Sequence, residues 1–402
     1  MSQKLKCVIF GDRYVIQDDE YLPEIEKLLK FLDSRSIKAI ILSNDDFTEH
    51  DDRVKLREKL IEKHQYLDWH IADADKTLRK PSPGAVHSIL NQFHLNNNEA
   101  IYIGNSDIDM QTAVNSKLLF LNATWYEQQT KYGFNFQQPK DIAHFIDIFC
   151  LREHLWSYEI KDGDLEYYAL GIYGTREEKY DYSLDAREAA KFGRGHPDFW
   201  IKYLLSAVYF SGLHERINYI APYPGHEQGS TSSMETETIT TFAKCFRKSY
   251  LLDLIQRHTT SQKSSYARTS GIHLDHFNQL NTVLLNQYPL QNERGNRYKH
   301  SPLKRDKTVL VIDDFCTQGY SLEAARVYIQ KTGAKVILLS LLKTIWKDYE
   351  KILEIEKLSP FKTNQLQPPL KKKKYPFWNY IREEDASQEI RSKLREYDTW
   401  SW

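Results

Sequence analysis

Short apolar runs alternate with amphipathic stretches through the first third of the chain. Lys6–Phe10 (KCVIF), Lys38–Leu42 (KAIIL), Asp68–Ala72 (DWHIA) and Ala100–Ile103 (AIYI) are the runs. Between them, Leu22–Leu32, Leu60–His64, Pro83–Phe93 and Asp109–Asn115 repeat apolar residues at helical spacing. Short bounded runs predict buried strands, and the 3–4 spacing predicts helices with one inward face. Strands separated by helices predict a parallel sheet covered on both sides. A helix over Asp141–Leu151 closes this unit, with a boundary near residue 155 and no Gly/Ser-rich linker after it, so the two halves are expected to pack together.

The pattern then repeats. Tyr167–Tyr173 alternates like a strand, Pro197–Phe210 is helical, and Ile217–Ala221 is a strand ending in a Pro/Gly-rich loop. Glu235–Cys245 is a helix, and Ser249–Leu252 opens another element. Val309–Ile312 is a strand ending in two carboxylates, Leu322–Gln330 a helix, and Gly333–Leu342 the next parallel strand by a right-handed crossover. The expected fold class is α/β, with two doubly wound parallel-sheet domains at 1–150 and 155–345 and a helical or irregular C-terminal tail at 346–402.

A length of 402 residues suits two such domains. Lys plus Arg and Asp plus Glu stand at 55 each, so no global field draws nucleic acid or membrane. Cys7, Cys150, Cys245 and Cys316 lie too far apart for metal-ligand spacing, which points to a reducing compartment without a disulfide framework. No run is long enough to span a bilayer and no leader is apparent, so the expected location is cytoplasmic.

Chemistry concentrates where strands end. After Thr308–Ile312 come Asp313, Asp314 and the loop Thr317-Gln318-Gly319-Tyr320-Ser321, then a helix. A small-residue loop leading into a helix N-terminus offers amides, hydroxyls and the helix dipole to an anion. The adjacent acids suit sugar hydroxyls or a Mg2+ that accompanies phosphates. This order resembles the phosphoribosyl-pyrophosphate (PRPP) loop of type I phosphoribosyltransferases, with Gln318 standing where Thr is more usual. The resemblance implies that Asp313 and Asp314 hold the ribose hydroxyls and meet Mg2+ indirectly, through Mg-PRPP, while Thr317–Ser321 take the 5′-phosphate. It also implies that Pro224, Gly225, Gly229 and Ser230 wrap the pyrophosphate. Arg257, with Arg268 downstream, is similar to a segment of the competence-protein ComF-like branch. There Arg257 and Lys263 join the PRPP-binding set, and the partners are PRPP and an unknown base or nucleotide.

In the first half, polar groups follow four strand ends: Gly11-Asp12-Arg13, Ser43-Asn44, Lys80-Pro81 and Gly104-Asn105-Ser106-Asp107-Ile108-Asp109. Their order resembles haloacid dehalogenase (HAD) superfamily hydrolases. Ser43 and Lys80 match the phosphate-holding residues and Asp109 a Mg2+ ligand. Gly11 and Arg13 stand where that family carries its nucleophilic and general-acid Asp, and Asn105 replaces another metal-binding acid. Asp12 is the only nearby acid, and strand alternation would aim it at the opposite face. The resemblance therefore implies a degenerate pocket of Gly11, Arg13, Ser43, Asn44, Lys80, Asn105 and Asp109 without phosphatase activity.

The expected function is phosphoribosyl transfer or the reverse phosphorolysis. Two other readings stay open. One is a PRPP- or nucleotide-sensing regulator without turnover. The other is a nucleic-acid-linked module in stress or phage defence, resting on Lys371–Lys374 beside Tyr375–Tyr380. Trp400 and Trp402 imply a terminus packed on its own chain, on a protein partner or on a second copy.

Overall fold

The computed structural model describes residues 4–12, 15, 23–45, 52–72, 76–125, 130, 133–230, 236–262, 275–291 and 295–402. Six strands form the first sheet: β1 (Cys7–Gly11), β2 (Lys38–Ser43), β3 (Leu67–Ile71), β4 (Ala100–Gly104), β5 (Leu119–Ala123) and β6 (Phe134–Phe136). All neighbours are parallel, in the order β3-β2-β1-β4-β5-β6. β1, β4 and β5 are buried along their whole length, as the unbroken apolar runs require of strands covered on both faces. The chain leaves β1 toward β2 and β3, then returns to β4 on the other side. The strand order reverses between β1 and β4, where open α/β sheets place ligands beyond the carboxyl ends.

The second sheet contains β7 (Tyr158–Asp162), β8 (Leu165–Tyr173), β9 (Tyr219–Pro222), β10 (Ser249–Tyr250), β13 (Thr308–Cys316) and β14 (Lys335–Thr344). Its order is β10-β9-β13-β14-β8-β7, parallel except for the β7–β8 hairpin. The order here reverses between β9 and β13. A two-stranded antiparallel piece, β11 (Ile255–Arg257) with β12 (Val283–Leu285), stands apart. So does a hairpin of β15 (Tyr349–Ile352) with β16 (Lys372–Tyr375).

One expectation changes. β13 does not stop at Ile312: β14 is long enough to pair Asp313 with Ser340, Phe315 with Leu342 and Cys316 with Lys343, so the acids are strand residues. The tail is ordered onto the second sheet. Helix Ala386–Tyr397 lays Ile390 against Gly171 of β8, where an added Cβ would come within 2.9 Å of Ile390 Cδ1.

The halves pack directly. Helix Pro197–Phe210 reaches the first sheet through Tyr209, whose hydroxyl donates to the carbonyls of Asn97 (2.8 Å) and Ala100 (2.5 Å). At the other end, Trp400 Nε1 donates to Asp147 Oδ2 (2.8 Å) and its ring meets Phe31 edge-on. The four cysteines are buried and unpaired. No helix among the described residues is long and apolar enough to cross a membrane.

Candidate functional site

At the first reversal point, β1 delivers Gly11 and β4 delivers Gly104, and the turn after β4 starts helix Asp107–Ser116 with Ser106 as its cap. Asp109 in the first turn is almost wholly buried. It accepts hydrogen bonds from Tyr102 Oη (2.9 Å) and Ser106 Oγ (2.7 Å), and Lys80 Nζ lies 3.1 Å from Oδ1. A Cβ on Gly11 would fall 2.6 Å from Asp109 Oδ1 and 2.7 Å from Oδ2. The Asp109 carboxylate therefore occupies the space of a side chain at position 11, and no acid fits there while Asp109 stays.

Asp12 departs from expectation. β1 ends at Gly11 and the chain turns, Val15 N–H donating to Asp12 O (3.2 Å), so strand alternation no longer governs where Asp12 points. Its carboxylate enters the pocket, accepting from Ser43 Oγ (2.9 Å) and Lys80 Nζ (3.0 Å). Asn44 pairs with the Lys80 backbone through both amide atoms, at 2.7 and 3.0 Å, and so aims the lysine inward. Burial alone would lower the Lys80 pKa, but Asp109 and Asp12 outweigh it and hold the ammonium charged. Ser43, Asn44, Lys80 and Asp109 thus converge, Asn105 stands buried close by in sequence, and Arg13 lies outside the described residues.

Two carboxylates here share one ammonium, and position 11 contributes none. Among the described residues no group of three or more His, Cys, Asp or Glu side chains is placed to hold a metal ion. These residues do not fit a resident Mg2+, and no step is derived through one in this domain.

Residues 13–123 match the sequence profile of haloacid dehalogenase-like hydrolases. That stretch is a HAD-like domain. The match begins two residues past Gly11. Among solved structures, the chain is similar to a candidate phosphoglycolate phosphatase from Lactobacillus delbrueckii subsp. bulgaricus, at 21% identity and TM-score 0.26, covering 31% of this chain and 53% of that one. A D,D-heptose 1,7-bisphosphate phosphatase from B. bronchiseptica matches at 16% identity and TM-score 0.28, covering 35% of this chain and 96% of that one. A haloacid dehalogenase-like hydrolase from Streptococcus pneumoniae matches at 16% and 0.25, covering 32% and 88%. The chain spans about half the length of the first of these. No curated protein matches the chain.

At the second reversal point, β13 and β9 lie side by side. Tyr223 N–H still donates to Ile312 O (2.8 Å), which keeps the chain against β13 up to Pro224-Gly225. Beyond β13 the loop 317–319 turns into helix Tyr320–Lys331 with Gly319 at φ +85°, where a Cβ would also strike the Tyr349 ring at 2.4–2.8 Å. Two carbonyls of this loop are tied back. Thr317 O accepts from Lys343 Nζ (2.5 Å), and Gln318 O accepts from Glu350 N–H (3.0 Å). Across a trans peptide the C=O and the next N–H point in opposite directions, so the N–H groups of Gln318 and Gly319 face away from those anchors. Neither has an acceptor among the described residues. Together with the first amides of the helix, they are donors that an anion could use.

The acids stand near the end of the strand that leads into this loop. Asp314 pairs with Lys191, which arrives from helix Tyr182–Phe192. Asp313 Oδ1 accepts from the Asp314 N–H (2.9 Å). Burial first, then the neighbouring Asp314, pushes the Asp313 carboxyl well above the usual carboxylate range. Burial lowers Lys191 but Asp314 and Asp313 raise it further, so it stays protonated. Sequence reasoning missed Lys191, because nothing local marks a lysine that reaches its partner across 123 residues.

Arg257, 3% exposed, spends Nε on Gly225 O (2.9 Å) and its terminal nitrogens on Thr282 Oγ1 (2.6 Å) and Gln279 Oε1 (2.9 Å). Its place is within the protein, shaping the 224–230 loop. Gly229 N–H donates to Arg257 O (2.9 Å) and Ser261 N–H to His226 O (2.8 Å), which laces that loop to the 257–261 segment. Asp313, Asp314, Thr317, Gln318, Gly319, Tyr320 and Ser321 thus line one edge, and Pro224, Gly225, Gly229 and Ser230 belong to the adjoining loop. Lys263 and Arg268 lie outside the described residues.

The basic run of the tail is charge-paired. Lys372 and Lys374 face Glu350 (2.8 and 3.7 Å), Lys371 faces Glu354 (3.9 Å), and Lys373 pairs with Asp162. Tyr375 and Phe377 are buried, Phe377 stacked on Tyr158 at 5.6 Å between centroids.

Proposed function

We propose that the chain is a phosphoribosyltransferase acting on Mg-PRPP, or running the reverse phosphorolysis, with the HAD-like domain as structural or regulatory partner. The observation behind this reading is the pair of loop amides, Gln318 and Gly319, without an acceptor among the described residues, following Asp313 and Asp314 at the reversal point of a parallel sheet. In it the 5′-phosphate rests on the 317–321 amides and the Thr317 and Ser321 hydroxyls, and the acids hold the ribose 2′- and 3′-hydroxyls. Pyrophosphate, carried with its Mg2+ as part of the substrate, leaves C1′ along the Pro224–Ser230 loop. Positive charge growing at C1′ is stabilised by the nearby Asp314 carboxylate. A base nitrogen then forms the new bond to C1′. Asp314→Asn is expected to cut pyrophosphate release from Mg-PRPP, assayed with a metabolite extract as acceptor source, by about 10²–10³. Undiminished release from that variant would sink the assignment.

The Lys191–Asp314 pair favours a second reading, in which PRPP or a nucleotide binds without turnover. Calorimetric binding with no pyrophosphate release against a panel of bases would select it. For the first domain, we infer no phosphatase activity, since Asp109 fills the place of a nucleophile at position 11. Asp12, set on Ser43 and Lys80, is the residue through which that inference fails if it fails. Phosphate monoester hydrolysis that Asp12→Ala removes would overturn it.

A further inference from the structure

Lys343 at the end of β14 is wholly buried, yet among the described residues no carboxylate pairs with it. Its ammonium donates to the carbonyls of Thr317 (2.5 Å), Thr344 (3.4 Å) and Lys347, and stands 5.6 Å from the ring centroids of Tyr158 and of Phe377. A lysine so enclosed costs several kcal/mol of lost hydration, which carbonyl dipoles and ring faces offset only in part. An apolar side chain of similar length would fill the same space without that cost. The residue type is therefore explained by what the ammonium does to its acceptors.

The acceptor that matters is Thr317 O. Held inward, it turns its own peptide plane so that Gln318 N–H faces outward. The positive charge also lies under the loop, where it favours an anion on the far side.

We propose that Lys343 is a positioning residue for the Thr317–Ser321 anion loop: its ammonium locks the Thr317 carbonyl inward so that the amides that follow face a phosphate group. The choice of phosphate rests on the transferase reading above. The groups facing the ammonium are Cys316 from β13, Asp348 and Lys347 from the segment after β14, and the Tyr158 and Phe377 rings. Burial lowers the Lys343 pKa to about 8, with Cys316 and Asp348 opposing and Lys347 assisting. The lock is thus charged at neutral pH and loses its charge, and with it the charge-assisted part of its hold, as pH rises through that value.

Amide hydrogen exchange of the full chain tests this directly. In Lys343→Met at about pH 7, the amides that donate to the loop carbonyls, Glu350 N–H to Gln318 O and Glu323 N–H to Gly319 O, should exchange at least about tenfold faster while Val309–Ile312 stay protected. If the variant does not fold, wild type at about pH 7 and about pH 9, with rates referred to intrinsic exchange, should show the same selective loss. Unchanged protection of these two amides, or loss shared equally with β13, would overturn the proposal, the second outcome marking a merely structural lysine. Wild-type affinity for Mg-PRPP should fall as pH rises through about 8 and stay flat there in Lys343→Met. If wild type binds no Mg-PRPP at any pH, the transferase reading falls, and the exchange result alone decides the role of Lys343.

Discussion

In the first domain, the carboxylate of Asp109 sits where a side chain on residue 11 would be, and Lys80 sits between it and Asp12. Two acids of like charge tolerate each other in a buried pocket only because an ammonium lies between them. Lys80→Met should therefore leave uncompensated buried charge and cost about 3–5 kcal/mol, read as a lower thermal midpoint at neutral pH. The deficit should shrink when Asp12→Asn is added, since that removes one of the two charges that Lys80 faces. An equal deficit with and without Asp12→Asn would show that charge is not the reason. Residue identity at this pocket was open to inspection: Ser43, Asn44, Lys80 and Asp109 meet as their strand-end positions imply. The aim of Asp12 was not, because it turns on where β1 stops, and one residue decides which face a side chain joins.

Among the elements, helix Tyr320–Lys331 shows how much lies beyond local pattern. Its helical spacing is plain in the sequence, but its first turn buries Glu323 completely. Arg326 meets that carboxylate with both Nε (2.9 Å) and a terminal nitrogen (2.6 Å), while Tyr349 Oη and Ile352 N–H each donate to it at 2.8 Å. Arg326→Met should strand Glu323 and destabilise the protein by about 3–5 kcal/mol, with the β15–β16 hairpin loosening alongside, as measured by denaturant midpoint and by exchange in 349–352. An unchanged midpoint would refute it. The long apolar runs gave away β1, β2, β4, β9, β13 and β14 to within a few residues. β5 escaped because Leu119 follows helix Asp107–Ser116 after only Lys117 and Leu118, a junction too short to separate the two periods. β7 escaped because an edge strand of alternating YEIKD carries little apolar signal. At the candidate site, residue types and loops were legible and distant partners were not. Lys191, Lys343 and Tyr349 reach Asp314, Thr317 and Gly319 through tertiary packing that no local spacing encodes.

For the whole molecule, the buried polar inventory sets the response to acid. His214, against Tyr209 and Phe246, and His276, against Tyr320, are each 1% exposed, and burial pushes each down to about 4 from 6.5. The unfolded chain takes up protons as pH falls below 6.5, whereas the folded chain resists until about 4. Stability is therefore lost across that window, at up to about 1.4 kcal/mol per pH unit for each histidine. His214→Phe, which suits its aromatic neighbours, should flatten the decline of thermal midpoint between about pH 6.5 and about pH 4.5. An identical slope would exclude His214 as a contributor.

The seat of Trp400 carries a consequence in time. Asp147 and Trp400 are 253 residues apart in the chain. At translation speeds of roughly 5–20 residues per second, the HAD-like half waits on the order of ten seconds to a minute before its last partner leaves the ribosome. During that interval Phe31, His144 and Asp147 stand without the indole that later covers them. A nascent chain halted before Trp400 therefore presents a face to chaperones and proteases that the finished protein hides.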